Sequence, residues 1–305
     1  MAAIFETLKS MTGKSLNVWR FVDGKAGHER QTEGLIQALS ESVEPVVTVV
    51  DVSGGCPGGL RKTIKFLRRR KDHPKPDILI GAGHGTHLPM ILGRIISGAK
   101  SVVLMKPSFP RWCFDFCIVP ECDRVPESGN TCIVQGVLNT MTRGRHQDAA
   151  EGLILIGGPC RHVDWSDATL LRQVEGVVRK SADVRWTMTT SRRTPTVLCG
   201  RLAKLKARNL HYASHQVTGP HWVSEGLDRS GQVWVSPDSV SMVFEALTSG
   251  SCVGVFDLAW KPGSKLKMAV DRLIDERMVT PYSEFMGNQA IRQSGKIEGS
   301  GSAIQ

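Results

Sequence analysis

The stretch Val235-Ser236-Pro237-Asp238-Ser239-Val240-Ser241-Met242-Val243-Phe244-Glu245-Ala246-Leu247 runs from an apolar strand through a small polar turn into an apolar-periodic helix. Such a turn leaves the first helical N–H groups without intrahelical partners. The positive end of the helix dipole then faces whatever sits in front of it, and diphosphates suit that position. Asp238 and Ser239 also have the chemistry of plain helix caps, which is the simpler reading of those two residues alone. Related features recur along the chain. Asp23-Gly24-Lys25-Ala26-Gly27-His28 is a glycine-bearing loop between a strand and a helix, in which either Asp23 or His28 has the character of a general base. The alternative there is a turn aspartate and a histidine at a helix start. Gly81-Ala82-Gly83-His84-Gly85-Thr86-His87 places two histidines and three glycines after another strand. Its H-x-x-H spacing could bind a metal, but no carboxylate accompanies it, so a loop lining a cleft is the preferred reading. Ser191-Arg192-Arg193-Thr194-Pro195 sets two cations at the C-terminal end of a strand, where ligands of open α/β sheets gather. Paired guanidiniums there could clamp a diphosphate, or be ordinary surface arginines.

Two nucleotide fingerprints are missing. The first loop does not fit G-x-G-x-x-G, and Gly13-Lys14-Ser15 lacks the upstream glycine of a phosphate-binding loop. No Asp-x-Asp metal motif is present, so no cofactor or metal is expected.

At 305 residues the chain suits two α/β domains, and its 41% hydrophobic and 22% charged residues are ordinary for a globular protein. The formal net charge of +10 favours anionic partners such as nucleotide phosphates or an acidic membrane surface. Aromatics at 6%, with no basic-aromatic pattern, argue against nucleic acid. The eight cysteines include no C-x-x-C pair, and the irregular spacing of Cys113, Cys117 and Cys122 reads as thiols rather than a zinc site. Reduced thiols, no long apolar run and no signal-peptide core lead to the expectation of a cytoplasmic protein. The segment from Arg61 to Lys71 is a strongly basic helix, read with Ile64 and Leu67 inward. It is either a solvated face or a surface for anionic lipid, which would make the protein peripheral on the inner face of the membrane.

The elements alternate strand and helix, which predicts parallel, doubly wound sheets. Strands are expected at 16–22, 46–52, 77–80, 101–105 and 114–119, with helices at 31–40, 59–71 and 88–97. After a polar linker (141–152) the pattern restarts at Leu153-Ile154-Leu155-Ile156-Gly157-Gly158-Pro159. Helices at 165–180 and 196–206 then enclose a strand at 184–189. The strand and helix around Asp238 follow, then a strand at 252–256 and a helix at 265–276. The reading is two Rossmann-like domains, 1–148 and 149–290, facing a cleft, with a flexible Gly/Ser-rich tail over 291–305.

Taken together, Asp23-Gly24-Lys25-Ala26-Gly27-His28-Glu29-Arg30-Gln31, the Gly81–His87 segment, Gly157-Gly158-Pro159, Thr190-Ser191-Arg192-Arg193-Thr194-Pro195 and Pro237-Asp238-Ser239-Val240-Ser241-Met242 resemble the ELM1-like family. Its plant founder is named for mitochondrial fission, and its bacterial members are regarded as glycosyltransferases. The resemblance covers about residues 16 to 285 in the right motif order. It implies a GT-B-type enzyme, distantly similar to the lipid-linked N-acetylglucosamine transferase of peptidoglycan synthesis. On that resemblance, Gly158, Ser191, Arg192, Arg193, Pro237, Asp238, Ser239, Ser241 and Glu245 would bind a nucleotide-sugar donor. Gly24, Gly27, Gly83, His84 and Thr86 would lie on the acceptor side, with His28 or Asp23 as base. The implied reaction is metal-independent, inverting transfer to a lipid-linked or lipopolysaccharide-type acceptor. Lys25-Ala26 in the first loop departs from the peptidoglycan enzyme's glycine-rich pattern and argues against the same acceptor. The rival readings are a non-catalytic membrane-peripheral adaptor and a nucleotide-sugar epimerase.

Overall fold

The computed structural model describes residues 15–144, 147–219 and 221–287. The chain divides between Thr140 and Met141 into two compact units. The stretch read as a flexible tail, 291–305, lies outside the described residues.

Unit 1 is a six-stranded parallel sheet in the order β2-β1-β3-β4-β5-β6. Its strands are β1 (Ser15–Val22), β2 (Glu44–Asp51), β3 (Ile78–Ala82), β4 (Lys100–Leu104), β5 (Phe116–Pro120) and β6 (Thr131–Val134). Three helices complete it: α1 (Ala26–Ser40), α2 (Gly55–Arg68) and α3 (His84–Ser97). Strand side chains alternate between faces, and β1 shows the result. Leu16 and Val18 pack with Leu35 and Leu39 of α1, while Trp19 and Phe21 pack with Leu67 of α2 and Met90 of α3. Helices thus cover both faces, which is the doubly wound arrangement that the alternation predicts.

Unit 2 is also a six-stranded parallel sheet, in the order β10-β9-β7-β11-β12-β14. Its strands are β7 (Asp148–Ile156), β9 (Arg185–Thr190), β10 (Leu210–Ala213), β11 (Ser230–Val235), β12 (Cys252–Val255) and β14 (Val279–Pro281). Short strands β8 (Val163–Asp164) and β13 (Ala259–Trp260) pair antiparallel beside it. Helices are α4 (Asp167–Lys180), α5 (Thr196–Leu202), α6 (Trp222–Arg229), α7 (Val240–Thr248) and α8 (Lys265–Asp275). On one face Ile154, Ile156, Trp186, Met188 and Trp234 pack with Leu170, Val174 and Val177 of α4 and Leu198 and Leu202 of α5. Helix α6 lies on the Leu153 face, where Gly226 approaches Leu153 so closely that an added Cβ would stand 3.2 Å from Leu153 Cδ2.

Several boundaries differ from the sequence expectation for one recurrent reason. Helix α1 begins at Ala26 rather than Gln31, so Gly27 and His28 belong to a helical turn. Helix α3 begins at His84, so most of the Gly81–His87 segment is strand or helix rather than loop. Gly83 makes the whole turn, with φ of 80° that favours glycine. Both first turns are polar because they stand at the sheet's edge, so apolar periodicity does not mark them. In α2, Ile64 is 41% exposed, not inward; buried Leu67 and Thr63 hold the inner face instead. Strands β6 and β10 and helix α6 are too short to carry a clear periodic signal.

Candidate functional site

In a parallel sheet, a crevice opens at the C-terminal strand ends where neighbouring connections leave in opposite directions. The strand orders place that point between β1 and β3 in unit 1, and between β7 and β11 in unit 2. The motifs singled out in the sequence fall at those two edges.

In unit 1, Asp23 follows β1 and His28 sits on the first turn of α1. His28 Nδ1 lies 2.9 and 3.1 Å from the two Asp23 carboxylate oxygens. The Asp23 side chain is 6% exposed and that of His28 19%. A carboxylate only accepts, so Nδ1 carries the proton and donates it, leaving Nε2 as the basic nitrogen. The backbone N–H of Lys25 donates to Asp23 Oδ1 at 3.2 Å, fixing the carboxylate. Gly83 supports the ring from β3: a Cβ there would collide with the His28 imidazole. Gly85 packs on Asp23, with 3.3 Å from an added Cβ to Asp23 Cβ. Gly24 turns the chain at φ of 80°, against Ser53. Gly27 is exposed and open.

The two remaining acceptor-side candidates separate. His84 is exposed, whereas Thr86 is fully buried and donates to Gly83 O at 2.8 Å. His87, one turn along from His84, is also fully buried. Ser108 N–H donates to His87 Nδ1 at 3.1 Å, so its proton is on Nε2, which has no partner among the described residues. Burial, then the nearby His84 and His28, push its pKa down to about 4. Among the described residues, no group of three or more His, Cys, Asp or Glu is placed to hold a metal ion.

In unit 2, the loops after β7, β9 and β11 are tied by one buried carboxylate. The Asp238 side chain is fully buried. Its Oδ2 accepts from Gly158 N–H at 3.1 Å and from Arg193 Nη2 at 2.6 Å. Its Oδ1 accepts from Ser236 Oγ at 2.6 Å, and Ser236 Oγ accepts from Gly157 N–H at 2.7 Å. Asp238 therefore does not cap α7. It points inward and pins Arg193, whose half-exposed guanidinium also reaches Gly158 O at 3.4 Å. Thr194 reinforces the junction: Ser191 N–H donates to its Oγ1 at 2.9 Å, and Oγ1 donates to Gly157 O at 2.5 Å. Gly157 and Gly158 are required there, because a Cβ at either would enter the Asp238 carboxylate or the Arg193 backbone.

Helix α7 begins after Ser239, which makes no side-chain cap bond. Its first backbone bond runs from Val243 N–H to Ser239 O at 3.3 Å, so the N–H groups of Val240, Ser241 and Met242 have no partner among the described residues. Arg192 is exposed, with no side-chain partner among the described residues. Ser239 and Ser241 are half-buried, while Pro237 and Glu245 are buried. Ser236 and Thr194 are the network residues that the sequence reading did not assign. Their signal was present, as small hydroxyl residues beside the charged ones, but nothing in a lone sequence says which hydroxyl is turned inward.

Two Rossmann-like units, each with polar groups gathered at the switch point of its sheet, define a protein of the GT-B-type fold. Solved structures share it. UDP-GlcNAc 2-epimerase from Methanocaldococcus jannaschii matches with a TM-score of 0.62 at 11% identity, over 95% of this chain and 97% of that one. The S. aureus MnaA–UDP co-structure matches with a TM-score of 0.56 at 13% identity, over 94% and 93%. A glycotransferase of kitacinnamycin matches with a TM-score of 0.50 at 13% identity, over 89% and 87%. Such identities show a common fold alone. The family model described as "Mitochondrial fission ELM1" matches residues 26–297, and the chain belongs to that family. No curated protein matches it.

Proposed function

We propose that the protein is a glycosyltransferase that moves a sugar from a nucleoside-diphosphate donor to a lipid-linked or cell-envelope glycan acceptor. The observation that carries this reading is the uncapped first turn of α7 beside an arginine pinned by a buried carboxylate. Three unpaired amides and the end of the helix dipole suit a diphosphate, and Arg193, fixed by Asp238, would supply a cation for the charge that grows as a nucleotide departs. Arg192 adds a second, exposed cation. Structures of the same fold include one bound to UDP and one, from Neisseria meningitidis, bound to UDP-GlcNAc, which supports a nucleotide sugar as the ligand.

His28 Nε2 takes the proton of the acceptor hydroxyl, and Asp23 stabilises the imidazolium that forms. The hydroxyl oxygen attacks the anomeric carbon from the face opposite the leaving diphosphate, inverting that centre. Amides and guanidiniums stabilise the leaving group, so the step requires no metal. The exposed cations Arg61, Lys65, Arg68, Arg69, Arg70 and Lys71 on and beyond α2 suit an anionic lipid surface, which is where a lipid-linked acceptor would be met. No described helix is long and apolar enough to cross a membrane, so contact would be peripheral. Glu245, buried on α7, is the candidate for the donor ribose.

A second reading, nucleotide-sugar epimerisation, is favoured by the fold shared with UDP-GlcNAc 2-epimerases. One experiment separates the two. The protein is incubated with a panel of UDP- and GDP-sugars, with and without a lipid-phosphate acceptor, and products are followed by proton NMR. Transfer requires acceptor and yields an inverted glycoside. An epimerised sugar formed without acceptor would establish the rival. Absence of any nucleotide-sugar binding in a thermal-shift screen would leave the adaptor reading.

A further inference from the structure

Unit 2 holds a second polar hollow, away from the edge described above. It has a cavity volume of about 360 Å³, within the range of small-ligand sites. Its floor is set by register. Leu153 of β7 pairs with Thr187 of β9, and Thr187 pairs with His211 of β10, so these three side chains share one face of the sheet. The next row toward the strand starts is Glu151 and Arg185. Helix α6 forms the wall with Trp222, Gly226 and Arg229, which fall on one helical face. Beyond Leu153, which packs against Gly226, the floor is a hydroxyl and an imidazole.

Cations outnumber carboxylates in this hollow, where Arg185, Arg208 and Arg229 face Glu151. Arg185 is bonded to Asp148 and Glu151, at 3.2 and 3.3 Å. Arg208 and Arg229 are exposed and have no side-chain partner among the described residues. Two unpaired guanidiniums beside a half-buried indole suit a ligand with a phosphate at one end and a planar ring at the other. Leu153 lies four residues before Gly157, about 13 Å along the strand, so the hollow does not merge with the Asp238 edge.

We propose that this hollow is a second ligand site, which takes a phosphorylated, ring-bearing metabolite of nucleoside-monophosphate size. Arg208 and Arg229 hold the phosphate, and Trp222 packs on the ring. The site does not depend on the glycosyltransferase reading, because none of its residues belongs to either switch-point edge.

Calorimetric titration of the full chain tests it, with UMP, AMP and inorganic phosphate as probes. A background with both Arg192→Ala and Arg193→Ala removes the two cations of the other edge. In that background at least one nucleoside monophosphate binds, and adding Arg208→Ala and Arg229→Ala weakens it about tenfold or more. Both arginines are exposed, and circular dichroism checks that the fold is kept. Trp222→Ala weakens nucleotide but not inorganic phosphate. Equal nucleotide affinity with and without the two arginines would overturn the site, as would no binding of either nucleotide at millimolar concentration. Inorganic phosphate binding as tightly as nucleotide would overturn the ring-bearing ligand.

Discussion

The two switch-point edges are built from the same topological feature and carry opposite chemistry. Unit 1 presents a titratable pair: His28, held by Asp23, with one nitrogen left basic. Unit 2 presents fixed charge: backbone amides at the start of α7 and an arginine that Asp238 holds in place. In unit 1 the buried carboxylate orients a group that can exchange a proton. In unit 2 the buried carboxylate orients a cation that cannot lose one. A buried Asp at a strand end therefore does not reveal its role by itself. What it holds, an imidazole or a guanidinium, decides which chemistry the edge can offer.

That contrast can be broken from either side. The largest expected effect is on the dyad. His28→Ala, or Asp23→Asn with its loss of the imidazolium's counter-charge, lowers turnover by about 10²–10⁴ and leaves nucleotide affinity unchanged. Steady-state kinetics paired with calorimetry checks both halves, and a matched loss of affinity would blur the proposed division of roles. Next comes Asp238→Ala. It strands the Gly158 N–H and Ser236 Oγ and frees Arg193, costing about 2–4 kcal/mol of stability and at least tenfold in UDP affinity. Urea unfolding and titration measure these, and unchanged UDP affinity would mean that the network is scaffolding alone.

The third effect is pH-dependent. His87 has a pKa of about 4 when folded and about 6.5 when free. Between those values the unfolded chain binds the extra proton, so stability is full above about pH 6.5 and falls as pH drops toward 4. The loss is on the order of 3 kcal/mol at its limit. His87→Leu flattens this slope in urea melts across that window, while it lowers stability at neutral pH by about 1–3 kcal/mol because Ser108 N–H loses its acceptor. An unaltered slope would assign the pH dependence to other groups. The smallest effect is Arg192→Ala. An exposed, unpinned cation contributes less than a pinned one, so UDP affinity falls only about three- to tenfold. A loss exceeding that of Arg193→Ala would reverse the ranking.

Much of this was legible in the residues. The strand–helix alternation gave two doubly wound sheets, and Asp23, Gly158, Arg193 and Asp238 follow strand ends while His28 opens the next helix. What the sequence could not show was direction. Asp238 reads as a cap or a ligand contact, yet it is turned inward, because Gly158 and Arg193, distant in sequence, reach it from two other loops while Ser236, two residues away, holds its second oxygen. Thr86 and His84 are near neighbours, yet one is buried and the other exposed. The polar first turns of α1 and α3 look like loop because polar residues occupy them, including the fully buried Thr86 and His87. Ile64 looked inward by period, but Thr63 takes that space.

The proposal at the centre is that unpaired amides at the start of α7, not a metal, hold a pyrophosphate. The most direct test is an amide-resolved NMR titration of isotopically labelled protein with UDP in the presence of a chelator. Saturable shifts of the Val240, Ser241 and Met242 amide resonances are expected, together with the Arg193 side-chain signal. If those resonances stay in place while UDP binds elsewhere, or if UDP binds only when divalent metal is restored, the account is contradicted.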